Sequence, residues 1–398
     1  MSNAFSSKMI YYLSLIGFFG IFSTTISKSP VLPLYVHALG GSDFIVGLIS
    51  AFSPLAGILF SFPIGLMSDK IGRKKLLLAS AIIFVVAPLL YLSVSTPMWL
   101  IPIRFFHGIA TAILGPVSAA MIVRAYESTK GVKLGLYSSA TLVGRALAPM
   151  LGGFIISYFA SAGAALMQYT YVYIAAFVLA IPVFIFTVLI QDEAQTGGFA
   201  TKDLLIDLQY FIANKKLFST ASVEMATYFA YGALETYLPL YLTNLGIPAR
   251  EIGLIFSVQI LSIALSQPLF GKLADVVDKR KLVLAGVITL GVAIGILGYF
   301  ESVIAATLIG LVFALGLSFT SVATSSYVAE VTEKDKLGAS LGALSAIMDI
   351  GQTVGPFATG IAITYLSYRA GFFVSLLLAL ATAGFFYAYN WRKQEALI

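Results

Sequence analysis

The chain has 398 residues, of which 59% are hydrophobic and only 11% charged, where an ordinary soluble domain carries about 25% charged residues. The formal net charge is +6, with two histidines and no cysteine. This excludes a disulfide framework, a thiolate metal site and a soluble core; most of the surface must meet lipid, and the positive balance bears on loop topology rather than on nucleic-acid binding.

A membrane-crossing helix needs about 20 mostly apolar residues. Twelve runs satisfy this: 8–36, 43–68, 75–95, 97–124, 132–159, 166–191, 215–243, 250–275, 281–299, 302–328, 336–365 and 370–390. Short loops bearing Gly, Pro, Asn or Ser separate them. The first run is too long for a signal peptide, lacks a small-residue cleavage site and has its end copied later in the chain, so it reads as structure. Of the 24 Lys and Arg residues, all but Lys28, Arg104, Arg145, Arg250 and Arg369 fall in or beside segments on one side. The positive-inside rule then puts both termini in the cytoplasm, in a protein integral to the plasma membrane.

The chain also repeats itself. "VLPLYVHALGGSDFIVGLI", from Val31 to Ile49, returns as "YLPLYLTNLGIPAREIGLI", from Tyr237 to Ile255. Pro33, Leu34, Tyr35, Gly40 and Gly47 reappear 206 positions later as Pro239, Leu240, Tyr241, Gly246 and Gly253. The same offset of 206 relates "GLMSDKIGRKKLLLA", starting at Gly65, to "GKLADVVDKRKLVLA", starting at Gly271. Two copies with an even number of helices share one orientation. The expected fold is an all-α membrane protein, with parallel six-helix bundles over 1–190 and 215–398. A polar cytoplasmic linker, 191–214, joins them.

These motifs resemble those of the major facilitator superfamily, the twelve-helix secondary transporters, and the resemblance covers essentially the whole chain. Gly65, Asp69, Gly72, Arg73 and Lys74 match the family's loop between helices 2 and 3. The second copy keeps Gly271, Asp275, Lys279 and Arg280 but has Asp278 in place of the glycine. The resemblance implies a conformational latch on the cytoplasmic side, with Gly65, Asp69, Gly72, Arg73, Lys74 and Asp275 as its parts. Physically, Gly65 permits close helix approach, Asp69 can face a helix N-terminus and Arg73 can hold that carboxylate. On helix 4, "IRFFHGIATAILGP" resembles a motif of proton-coupled members, with His107 where glutamine is common. Helix 5, "GLYSSATLVGRALAPMLGG", resembles the mark of the drug–proton antiporter branch, through Gly144, Pro149, Gly152 and Gly153. Helix 11 echoes it through Gly351, Gly355 and Pro356. Ordinary small-residue packing of membrane helices is the alternative reading of both.

Charges inside lipid are costly and tend to face a cavity or a partner. Lys28, Arg104 and Arg145 lie in the first half; Glu224, Glu235 and Asp349 lie in the second. Glu224 and Glu235 are 11 residues apart and share one helical stripe, with Tyr228 and Tyr231 on it. Glu235 and Asp349, then Glu224, are the expected proton carriers, with Arg104 tuning a nearby carboxylate. Fixed ion pairs with the basic residues are the alternative. Arg145, Lys28, Tyr228, Tyr231 and His107 are the expected substrate contacts, although His107 reads as well as a hydrogen-bonded interface residue.

The resulting expectation is a monomeric, proton-coupled transporter that exports amphiphilic, drug-like organic solutes by alternating access, with no cofactor, no metal and no enzymatic step. Lys28 stands where many cationic-drug exporters place an acid, which keeps zwitterionic and anionic solutes in view. A symporter or facilitator for sugars, organic anions or zwitterions shares the same features, and a non-transporting membrane sensor is a further alternative.

Overall fold

The computed structural model describes residues 2–160, 166–190, 210–333 and 336–391, without the side chains of residues 2–7, 62, 65–67, 69 and 70. Most of the expected linker, 191–209, lies outside the described residues, as does the side chain of Asp69. Backbone contacts divide the chain into two compact units. One is Met1–Phe199 with Gly246–Ser257; the other is Ala200–Leu245 with Val258–Ile398.

The described residues are almost wholly helical, because in lipid every backbone polar group must be satisfied within its own segment. In chain order the helices are α1 (Ser2–Ile26), α2 (Val31–Ala38), α3 (Asp43–Ile71), α4 (Arg73–Tyr91), α5 (Leu100–Ala125), α6 (Lys130–Ala160), α7 (Met167–Leu189), α8 (Lys215–Asn244), α9 (Ala249–Val276), α10 (Lys279–Leu297), α11 (Val303–Val331), α12 (Leu337–Tyr365) and α13 (Tyr368–Asn390). They make the twelve expected passes, since α1 and α2 together form the first. That first pass departs from an unbroken helix over 8–36. It stops at Ile26 and restarts at Val31 across "SKSP", where Pro30 lacks the N–H needed to continue the ladder. Its copy, α8, runs without a break and carries Pro239 internally.

Polar caps set several helix starts. Ser42 accepts from the Ile45 N–H at 3.4 Å, Asn214 from the Lys216 N–H at 3.1 Å, and Ser367 from the Ala370 N–H at 3.2 Å. The repeated phrase ends each time on a glycine with positive φ: Gly40 at 84° and Gly246 at 78°. No atom lies within 4 Å of where a Cβ would stand at either, so backbone conformation alone demands glycine there.

The two units are packed alike internally. In the first, α1 lies against α6 and α7, and α4 against α5 and α7. In the second, the copies repeat these pairs: α8 lies against α12 and α13, and α10 against α11 and α13. Ten passes are apolar enough to cross a membrane by length and composition. The two that fall short, α8 and α12, carry Glu224, Glu235 and Asp349.

Candidate functional site

In the second unit, α8 presents Glu224, Tyr228, Tyr231 and Glu235 at spacings of four, three and four residues, which places them along one face. Glu224 is only 1% exposed. Its carboxyl group accepts hydrogen bonds from two hydroxyls of α11, Ser321 Oγ at 3.0 Å and Thr324 Oγ1 at 2.7 Å. Ser321 Oγ also reaches the Tyr228 hydroxyl at 3.5 Å, and the Tyr228 and Tyr231 rings meet edge to face at 6.1 Å. Among the described residues no cation pairs with Glu224. A carboxylate left buried without a cation is expensive. Hydroxyls can either donate or accept, so this setting can hold the group with its proton or without it.

Glu235 lies two turns beyond Tyr228 and is buried. Asp349 is half-buried in α12, and its carbonyl accepts from Thr353 Oγ1 at 2.8 Å. Below this region α12 presses directly on α8. A methyl added at Gly351 would strike the Met225 carbonyl oxygen, and one at Gly355 the Phe229 carbonyl oxygen. Pro356 fills the space over Gly232, and its carbonyl accepts the Tyr237 hydroxyl at 2.9 Å.

The first unit uses the same device. Gly144 of α6 leaves room for the Phe18 carbonyl of α1, and Gly152 fits beneath Val31. Gly153 and Gly253 face one another, so a methyl at either would meet the carbonyl of Ala249 or Pro149 respectively. The Met150 N–H donates to Ser257 Oγ at 3.0 Å nearby. Arg145 is exposed and, among the described residues, pairs with no carboxylate; Lys28 sits half-buried in the break after α1. Arg104 and His107 of α5 are both about 1% exposed, enclosed by α4 and α7 rather than open to a passage. The structure therefore gathers Glu224, Tyr228 and Tyr231 in the second unit, whereas Arg104 and His107 belong to the first.

The two loop copies have diverged. Gly72 adopts a φ of 102° between α3 and α4. Arg73 Nη1 then donates to the Ala120 carbonyl at 3.3 Å, and Lys74 Nζ to the Val188 carbonyl at 3.0 Å in the last turn of α7, where a helix C-terminus favours a cation. In the second copy Asp278 has a φ of −55° and caps α10 through the Arg280 N–H at 2.9 Å. The Arg280 side chain grips the same carboxyl, with Nη2 at 2.7 Å, and holds it below the usual aspartate range. Arg280 Nη1 also donates to the Asn390 carbonyl at 3.1 Å, and its guanidinium lies 4.8 Å over the Trp391 ring. Asp275 is exposed. A glycine is thus dispensable in the second copy because the chain turns there without a positive φ.

The Major Facilitator Superfamily model matches residues 13–249 and, a second time, 220–396. The chain belongs to the major facilitator superfamily. It is a membrane transporter rather than an enzyme, and the two matches overlap over residues 220–249. As a facilitator it is similar to the multi-drug resistance efflux pump PmrA of Streptococcus pneumoniae, with 25% identity over 372 residues, 91% of this chain and 92% of that one. It is also similar to the multidrug resistance protein MdtG of Proteus mirabilis, with 26% identity over 405 residues, 94% of this chain and 93% of that one. Among solved structures, a bacterial homolog of the human lysosomal transporter Spinster superposes with a TM-score of 0.81 at 15% identity, covering 98% of both chains.

Ser321 and Thr324 are the residues of this candidate site that motif reading misses. They stand 97 and 100 residues from Glu224 in the chain. The available signal was compositional: "SFTSVATSS", Ser318 to Ser326, is a run of hydroxyls inside an otherwise apolar helix.

Proposed function

We propose that this facilitator exports amphiphilic organic solutes in exchange for protons, with the ends rich in Lys and Arg in the cytoplasm, and that it works as a monomer. Glu224 carries the proton in this reading. The observation behind it is the burial of that carboxyl among hydroxyl partners only, on one of the two helices too polar to qualify as ordinary membrane spans. Glu235 and Asp349, on the same two helices, act as secondary proton sites. The resemblance in length and sequence to PmrA and MdtG supports drug-like solutes and outward transport. Tyr228 and Tyr231 supply aromatic surface beside the carboxyl, a chemistry suited to amphiphiles. Lys28 and Arg145 favour solutes that carry an acidic group, zwitterions included, over simple cations.

The test is flux in reconstituted vesicles with the basic face outward and an imposed pH gradient, using fluorescent cationic, zwitterionic and anionic amphiphiles. An acidic lumen should drive accumulation of at least one class, and Glu224→Gln should abolish that accumulation. Accumulation driven by acid on the basic face instead would make the protein a symporter. Flux indifferent to the gradient would remove proton coupling altogether.

A further inference from the structure

Among the described residues Arg104 pairs with no carboxylate. Between residues 1 and 190 the only acids are Asp43, Asp69 and Glu127, all at or beyond helix ends, and Asp43 already pairs with His37 at 3.2 Å. Yet Arg104 is wholly enclosed. Around it stand Tyr91, the last residue of α4, Tyr173 on the second turn of α7, and His107 one turn further along α5. All three are within electrostatic reach of the guanidinium and none is more than 1% exposed.

These side chains are held firmly by their rings. Tyr91 and Tyr173 stack with centroids 4.4 Å apart and planes within 2°. His107 meets Tyr91 at 6.1 Å and Phe84 at 5.8 Å, both edge to face. Tyr35 packs on Tyr173 at 5.4 Å and donates to the Tyr91 carbonyl at 3.3 Å. The polar atoms, by contrast, are mostly left over. The Tyr91 hydroxyl lies against the Arg104 guanidinium, but Arg104 Nε and Nη1, both His107 ring nitrogens and the Tyr173 hydroxyl have no hydrogen-bond partner among the described residues. Buried polar groups are almost always paired, and five such atoms around one cation point to a missing partner. Four of these five atoms can donate when His107 is neutral, so the partner they suit is an acceptor carrying negative charge.

We propose that this buried cluster, at the end of the first unit opposite the basic loops, binds a small monovalent anion of halide size, chloride being the abundant case. Arg104 supplies the charge and two N–H donors, Tyr91 and Tyr173 supply O–H donors, and His107 supplies one ring N–H. The anion neutralises the guanidinium and ties α4, α5 and α7 together. It is a structural ligand of the outer half of the first unit, and the assignment is independent of what solute the protein carries.

Purified full-length protein provides the test. Its melting temperature is measured in gluconate at constant ionic strength while chloride or bromide replaces the gluconate, with formate as a separate arm. Both halides should raise the melting temperature along a saturating curve, as for any ligand of the folded state. Arg104→Gln should abolish the rise, and Tyr91→Phe should weaken the apparent affinity by about tenfold, the scale of one hydrogen bond to a charged group. In crystals soaked in bromide, anomalous scattering should place the ion beside Arg104. A melting temperature identical in gluconate and halide overturns the proposal and leaves the cluster to water. Stabilisation by formate but not by halides overturns it in favour of a carboxylate site. A halide effect retained in Arg104→Gln overturns it as well. If that variant does not fold, the wild-type titration and Tyr91→Phe decide the matter.

Discussion

Replacing Thr324 by Val removes one hydroxyl from Glu224 while keeping the branched shape that packs in α11. The bond lost is the shorter of the two, at 2.7 Å. Two magnitudes compete. Between neutral partners inside a membrane such a bond averages about 0.6 kcal/mol, which is less than a threefold change in rate. A hydrogen bond to a charged group is worth about 1.5–3 kcal/mol, or roughly tenfold to a hundredfold. If Glu224 must ionise during each cycle, the larger figure applies to the step in which it is charged. Gradient-driven flux through Thr324→Val should therefore fall by at least about tenfold. Ser321→Ala, which removes the 3.0 Å bond, should lose less, and the double variant should approach Glu224→Gln. The assay is initial uptake of a fluorescent substrate into vesicles with an acidic lumen, normalised to protein that elutes as a single species and melts normally. A Thr324→Val protein that keeps more than a third of wild-type flux would show that Glu224 does not ionise in a rate-determining step. The proton-carrier assignment would then fall.

Other consequences can be checked by stability. Gly355→Val should destabilise the protein by about 1–3 kcal/mol, because the new side chain is driven into the Phe229 backbone, whereas Gly342→Ala on the same helix, with no atom within 4 Å, should be neutral or slightly stabilising by thermal melting. Gly40→Ala and Gly246→Ala should each cost about 1–2 kcal/mol, and by nearly equal amounts, since both adopt positive φ in open space; unequal losses would mean that something besides backbone conformation holds these turns. Asp278 is held below its ordinary range by Arg280, so its contribution is present above the unfolded value of about 3.9 and fades as pH falls through the lower folded value. Asp278→Asn, which can still cap α10, should accordingly melt lower than wild type at pH 7, and the gap should close on acidification below about pH 4; a gap independent of pH would refute the charge-based account.

Much of the architecture was readable because lipid imposes a simple rule on length and polarity. Expected and observed passes differ mostly by a few residues at their ends, as with 75–95 against Arg73–Tyr91. The interruption at Ser27–Pro30 was missed because apolar sequence on both sides joins into one run of spanning length, although the polar "SKSP" and its Pro30 marked the place. The site was less legible. Glu224 ranked behind Glu235 and Asp349 because a one-dimensional reading cannot bring Ser321 and Thr324 to it across about a hundred residues. Arg104 was expected to tune a carboxylate, and nothing along the chain says which way an arginine on a membrane helix points. The lack of a nearby carboxylate could still have been anticipated, since the first half has no acid away from the ends of its spans. Periodicity and motif spacing report single elements, while charge compensation depends on which elements meet.

The split first pass has a further meaning. Where α1 stops and α2 begins, the Leu32 N–H still reaches the Lys28 carbonyl at 2.9 Å, but the helical ladder is interrupted between Ile26 and Val31. Its twin, α8, has no such gap. Any change of direction in the first pass falls within four residues, and the eight-residue outer piece that follows is buried from Val31 to Val36 and so is set by its neighbours, while α8 continues unbroken through Pro239. The duplicated unit has thus yielded one segmented limb and one continuous one.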